Sequence, residues 1–184
     1  MLELNIMRRL RGVCAVLTMV LLGSLAAVPT AGAQSIDPGA YYKLKTQFRG
    51  KGMCLDVYNG GGKNNMTHLV KCANFSGQFW RFKPAKKGYY KLKTLFRGES
   101  MCLDIYNGGG RNNQPHLVPC ANYSGQFWRV HFQNGWVRLT TEFRGKGVCL
   151  DIFNGGPNNN MPHLTRCQKL SGQFWELKRT NKRF

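Results

Sequence analysis

Three small sets of side chains that could do chemistry recur at almost equal spacing. Asp56, Asp104 and Asp151 each stand two residues after a cysteine, 48 and then 47 residues apart. His68, His116 and His163 follow them by 12 residues, and Gln78, Gln126 and Gln173 by 22. Carboxylates and imidazoles serve general acid–base catalysis and metal ligation. Here every plausible acid occurs in triplicate, which suits repeated binding sites better than one active site. No nucleophile motif, metalloprotease helix, phosphate loop or Gly-rich nucleotide fingerprint is present in the sequence. No enzymatic activity and no cofactor are therefore expected.

The elements that must position these residues are repeats. Residues 42–89, 90–136 and 137–184 superimpose almost residue for residue, with Gly-Gln-Phe-Trp at 77–80, 125–128 and 172–175 and Cys-Leu-Asp at 54–56, 102–104 and 149–151. Within each, alternating apolar and polar positions predict short strands. In the first copy Tyr42, Leu44 and Phe48 share one face of a strand, with Lys43 and Lys45 opposite. A second strand covers 53–58 and a third 67–72, separated by a Gly/Asn loop at 59–65. The fourth, 78–83, turns Trp80 and Phe82 inward and Arg81 outward. The chain is read as all-β.

Three such units could stack openly or close. An open stack needs polar end repeats, yet the outer copies are as apolar as the middle one. A propeller usually needs at least four blades. A β-trefoil, three four-stranded repeats about a pseudo-threefold axis, is the expected fold. In it the three tryptophans form a shared core, and the histidines stand beside outer hairpins, too far from the axis to build a metal centre. Six cysteines fall in the repeats, and 54/72, 102/120 and 149/167 are each 18 apart. Six allow 15 pairings. Repeat symmetry favours Cys54–Cys72, Cys102–Cys120 and Cys149–Cys167, with pairing between repeats as the alternative.

Ahead of the repeats, Arg8, Arg9 and Arg11 precede an apolar run from Val13 to Val28, and Ala31-Gly32-Ala33 offers a small-x-small cleavage pattern. Residues 1–33 are read as a secretory signal, which leaves one domain over 34–184, a secreted protein and no stable membrane insertion. The whole chain carries a formal charge of +19, and about +17 without Glu3 and those three arginines. Lys43, Lys91 and Arg138 are equivalent, as are Arg49, Arg97 and Arg144, so the symmetry predicts basic rings. A charge this lopsided raises encounter rates with anionic partners.

Three Gln-x-Trp motifs, each preceded by Cys-x-Asp and a second Cys, resemble the ricin-type lectin domain over Tyr42 to Phe184. The resemblance implies a β-trefoil that binds sugar in up to three shallow pockets, one per repeat, without chemistry. It implies that Asp56, Asp104 and Asp151 accept hydrogen bonds from adjacent sugar hydroxyls. Beside them would stand His68, His116 and His163, together with Gln78, Gln126 and Gln173. Two departures stand out. Gly77, Gly125 and Gly172 occupy the place of a ligand-binding Asn, and Val70, Val118 and Thr165 the place of the aromatic on which the sugar stacks. Tyr58, Tyr106 and Phe153, on the aspartates' face, are candidate replacements. Phe75 and Tyr123 are further ones, matched by Leu170 in the third copy, where Pro157 also replaces a glycine.

Each residue has a plainer reading. The aspartates could hold the Gly/Asn loop as Asx turns do, and the glutamines could satisfy backbone groups beside the tryptophans. Asn65, Asn113 and Asn160 could bind sugar hydroxyls or simply adopt left-handed loop conformations. The expected partners are glycans, anionic polysaccharide among them, and a larger secreted complex. The competing reading is a cationic adhesion protein that holds anionic glycan, lipopolysaccharide or nucleic acid by surface charge, nucleic acid being the least expected of these.

Overall fold

The computed structural model describes residues 35–184; the expected signal at 1–33 lies outside the described residues. The first repeat supplies β1 (Ala40–Thr46), β2 (Met53–Val57), β3 (Thr67–Lys71) and β4 (Trp80–Pro84). The second supplies β5 (Tyr90–Thr94), β6 (Met101–Ile105), β7 (Pro115–Pro119) and β8 (Trp128–Gln133). The third supplies β9 (Trp136–Thr141), β10 (Val148–Ile152), β11 (Pro162–Arg166) and β12 (Trp175–Arg183).

The first and last strands of each repeat pair in the order β9–β12–β1–β4–β5–β8, and β8 returns to β9. That closes a six-stranded antiparallel barrel, so these strands have no unpaired sheet edge. The remaining strands form three hairpins, β2–β3, β6–β7 and β10–β11. The hairpins join in a ring: Leu69 N–H donates to Asn160 O (2.8 Å), Leu117 N–H to Asn65 O (2.9 Å) and Leu164 N–H to Asn113 O (2.8 Å). A barrel with three hairpins in cyclic contact is the β-trefoil that the repeats predict.

The motif tryptophans make the core. Trp80, Trp128 and Trp175 are fully buried, packed with Leu44, Leu92, Leu139 and Phe82. A buried indole N–H needs an acceptor. Each donates to the leucine between Cys and Asp, at 2.9 Å to Leu55 O, 2.8 Å to Leu103 O and 3.0 Å to Leu150 O. The barrel core is thereby tied to the strand that carries each aspartate. The disulfides are Cys54–Cys72, Cys102–Cys120 and Cys149–Cys167, the within-repeat set. Each clamps its hairpin, and loops of this length contribute about 3 kcal/mol in the chain-entropy account.

Two local expectations differ from the structure. The fourth strand starts at Trp80, because Ser76–Gln78 forms a single 3-10 turn, with Phe79 N–H donating to Ser76 O. Phe48 lies beyond the end of β1, in a turn, and packs sideways against the core.

Candidate functional site

Each aspartate sits near the end of the first hairpin strand with its carboxylate held from two sides. Asp56 Oδ1 accepts from Val57 N–H (2.7 Å) and Oδ2 from Gln78 Nε2 (3.0 Å). Asp104 and Asp151 repeat this with Ile105 and Gln126, and with Ile152 and Gln173, at the same distances. A carboxylate has about four acceptor positions, so each oxygen keeps capacity for a further donor. All three side chains are nearly buried, with 6–8% of their surface exposed. The motif glycine allows this approach. A Cβ on Gly77, Gly125 or Gly172 would stand 2.2, 2.1 or 2.0 Å from the neighbouring Asp Oδ1, far inside any real contact.

The glutamines are enclosed. Gln78 is fully buried; its Nε2 also donates to Lys71 O (3.1 Å), and its Oε1 accepts from Ala73 N–H (2.7 Å). Gln126 and Gln173 make the same bonds. Both amide hydrogens are thus used inside the protein. The histidines pair with the aromatic candidates: Tyr58 stacks on His68 and Tyr106 on His116 at 3.6 Å between centroids, and Phe153 on His163 at 3.7 Å. Burial pushes all three imidazoles below their ordinary pKa, while the adjacent aspartates pull the other way. Asn65, Asn113 and Asn160 adopt left-handed conformations (φ 65°, 67° and 66°), and their carbonyls take the ring of inter-hairpin bonds.

What surrounds the aspartates is a pocket between repeats. A cavity of about 320 Å3 is lined by Asp56, Asn59, Phe75, Ser76 and Gly77 of the first repeat and by Phe96 of the second. Its counterpart, about 260 Å3, is lined by Asp104, Asn107, Tyr123, Ser124 and Gly125, and by Phe143 of the third repeat. Phe75 and Tyr123 are 63% and 64% exposed, so an aromatic face is offered beside each carboxylate. Phe96 and Phe143 are held by Arg97 and Arg144, stacked 4.0 Å from the ring centroids. Those arginines donate to Asn64 and Asn112 of the preceding repeat at 2.8 Å. This arginine ring therefore joins repeats as well as carrying charge. Position 170 of the third repeat, the equivalent of Phe75, is an exposed leucine.

Of the expected site residues, Asp56 and Asp104 line these cavities, together with the further aromatic candidates Phe75 and Tyr123. His68, Tyr58, Gln78 and Asn65 do not line the first cavity, nor do His116, Tyr106, Gln126 and Asn113 line the second. Asn59, Ser76 and Phe96 were not among the expected residues. Phe96 recurs with Phe48 and Phe143 ahead of an arginine, a signal visible in the repeats, but the partner it meets lies across a repeat boundary.

The model of the ricin-type beta-trefoil lectin domain matches residues 40–138 and, overlapping, 88–184. The chain belongs to this family. Among solved structures, this lectin-family chain is similar to the designed threefold-symmetric protein ThreeFoil. Identity there is 24% and the TM-score 0.62, over 75% of this chain and 97% of that one. It is also similar to the ricin B-like lectin of Macrolepiota procera solved with lactose, at 18% identity and TM-score 0.61, over 80% of this chain and 100% of that one. A mosquitocidal holotoxin matches at 18% identity and TM-score 0.68 over 82% of this chain, which spans 18% of the toxin's chain. At these identities the likeness concerns the fold. Among curated proteins, none matches this chain in sequence.

Proposed function

We propose that this protein is a secreted lectin that binds neutral sugar at two inter-repeat pockets, one around Asp56 and Phe75, the other around Asp104 and Tyr123. The observation that carries this reading is a preorganised carboxylate beside an exposed aromatic face in each pocket. The carboxylate accepts from two vicinal hydroxyls through charge-assisted hydrogen bonds. Phe75 or Tyr123 covers the apolar C–H face of the same sugar ring, the role that Val70 and Val118 cannot fill. Gln78 and Gln126 act as positioning residues, each aiming its aspartate from within. His68 and His116, stacked on Tyr58 and Tyr106, support the hairpin behind the pocket. The third repeat has Asp151 and Gly172 in place but no aromatic face, and contributes little.

Affinity at one shallow site is weak, and two sites on one surface raise it through effective concentration. Three disulfides, which persist in oxidising surroundings, and the signal-like pattern of 1–33 support export. The test is a glycan-array profile at low and high salt, with Asp56→Ala/Asp104→Ala and Phe75→Ala/Tyr123→Ala variants alongside. The exposed aromatics can be removed without disturbing the core, so that second variant guards against mere unfolding. Selective, salt-tolerant binding lost in both variants is expected. Binding that salt abolishes and neither variant changes would overturn the pocket assignment.

A further inference from the structure

A second concave region, larger in volume than either aspartate cavity, lies elsewhere among the described residues. A groove of about 630 Å3, within the range of ligand-sized clefts, opens where the β4–β5 hairpin meets the second repeat. Its lining includes Lys83, Lys86, Lys91 and Lys93, with Glu99 as its one acid. Glu99 is already shared by Arg81 (2.8 Å), Lys93 (3.4 Å) and Lys83 (3.9 Å). Lys86 reaches Glu142 at 3.0 Å. Lys91 donates to the Ala121 carbonyl at 2.8 Å, and among the described residues no carboxylate pairs with it. Four lysines and one carboxylate thus share a concave, partly apolar wall, where field lines concentrate.

The floor has its own pattern. Phe127, the Phe of the second Gly-Gln-Phe-Trp motif, lies beneath the Lys86 and Lys91 ammoniums, 4.4 and 5.3 Å from its centroid. Phe79, the same motif residue one repeat earlier, lies beneath Lys182 and Lys43 at 5.1 and 5.2 Å. Lys86 and Lys182 come from different kinds of segment, a hairpin turn and the last strand, yet reach equivalent rings. The third motif ring, Phe174, has Arg138 over it at 4.6 Å.

From this geometry we infer that the groove over Phe127 is a second ligand site, separate from the aspartate pockets, which takes a sulfate or phosphate ester carried on a glycan. Ammonium groups are rotatable point charges, and several converging on one spot suit an oxyanion whose oxygens point in different directions, as those of a sulfate or phosphate ester do. Lys83, Lys86 and Lys91 surround the ester, while Pro84, Ala85 and the edge of Phe127 receive the C–H face of the sugar that bears it. The glycan half of this ligand rests on the lectin reading; the oxyanion half rests on the lysines.

The test titrates the full chain, by calorimetry at low and high salt, with three probes. These are a heparin-derived oligosaccharide, the same oligosaccharide chemically desulfated, and a single-stranded oligonucleotide of matched charge. The groove variant is Lys83→Gln/Lys86→Gln, both half-exposed side chains. The control, Lys63→Gln/Lys71→Gln, removes equal charge from exposed positions outside the groove. The groove variant is expected to weaken the sulfated probe about tenfold, as loss of two charge-assisted contacts at a part-exposed site implies, and the control about twofold or less. Equal losses in both variants, or an oligonucleotide bound as tightly as the sulfated sugar, would overturn the site in favour of diffuse surface charge. If no neutral glycan on the array of the preceding test binds the wild-type chain, the aspartate-pocket reading fails, while the groove is still judged by the comparison of the two lysine variants.

Discussion

Gly77 and Asp56 occupy space that only one of them can fill: a Cβ at Gly77 would lie 2.2 Å from Asp56 Oδ1. Asp56 cannot swing aside without giving up its bonds to Val57 N–H and Gln78 Nε2. Gly77→Ala is therefore expected to cost about 1–3 kcal/mol by overpacking and to weaken sugar binding at that pocket alone. A double-mutant cycle with Asp56→Ser measures the coupling. The second substitution should recover most of the stability lost in the first, because it removes the colliding oxygen. Additive losses would show that the clash is relieved elsewhere.

Leu170 gives the converse experiment, a gain. The third repeat keeps Asp151, bonded to Ile152 N–H and Gln173 as in the other copies, and lacks the ring that Phe75 and Tyr123 provide. Leu170 is exposed, so Leu170→Tyr needs no repacking of the core. Calorimetric stoichiometry for a sugar bound by the wild-type chain should rise from two sites to three. An unchanged stoichiometry, with the variant folded, would mean that the aromatic face is not what the third pocket lacks.

How much of this was readable beforehand divides along physical lines. Inward Trp80, Trp128 and Trp175, the paired cysteines and the closed threefold fold follow from periodicity, because repeat copies must bury equivalent faces. The aspartates stood out for the same reason. What could not be read was capacity. Gln78 recurs as faithfully as Asp56, but only the fold shows that both its amide hydrogens and its oxygen are spent within the protein. Tyr58 lies on the right face, yet His68 covers it. Phe96 completes a pocket from the next repeat, a contact that no within-repeat alternation encodes.

Gln126 separates positioning from contact. Its replacement by Met keeps the volume but leaves Ala121 N–H and Pro119 O without their bonds to the side chain. The expected cost is about 2–4 kcal/mol, the sum of two backbone groups deprived of partners and a loosened Asp104. Sugar binding at the Tyr123 pocket should weaken in step, while the Phe75 pocket, monitored by backbone NMR shifts, keeps its wild-type affinity. Full affinity at the Tyr123 pocket in a destabilised variant would show that Asp104 needs no help from Gln126.

Acid should loosen the fold already above the ordinary carboxylate range. His68, His116 and His163 have pKa values lowered from 6.5, first by burial, with Lys63 and Arg111 adding to it at the first two. His131, bonded to Thr140 Oγ1, is lowered by burial and then by Arg129 and Arg138. A lowered folded pKa means that the unfolded chain binds protons first as pH falls. The histidine contribution to stability is thus complete above about 6.5, the unfolded value, and is lost as pH drops from there toward each lower folded value. Denaturant midpoints should fall between about pH 7 and pH 5, a window that lies above the ordinary carboxylate range. The triple variant His68→Gln/His116→Gln/His163→Gln should flatten that slope and leave mainly the His131 share. A midpoint constant or rising on acidification would show that the stacks on Tyr58, Tyr106 and Phe153 accept the imidazolium at no cost. The nearby aspartates would then outweigh burial, and the hairpins behind the sugar pockets would carry no acid sensitivity.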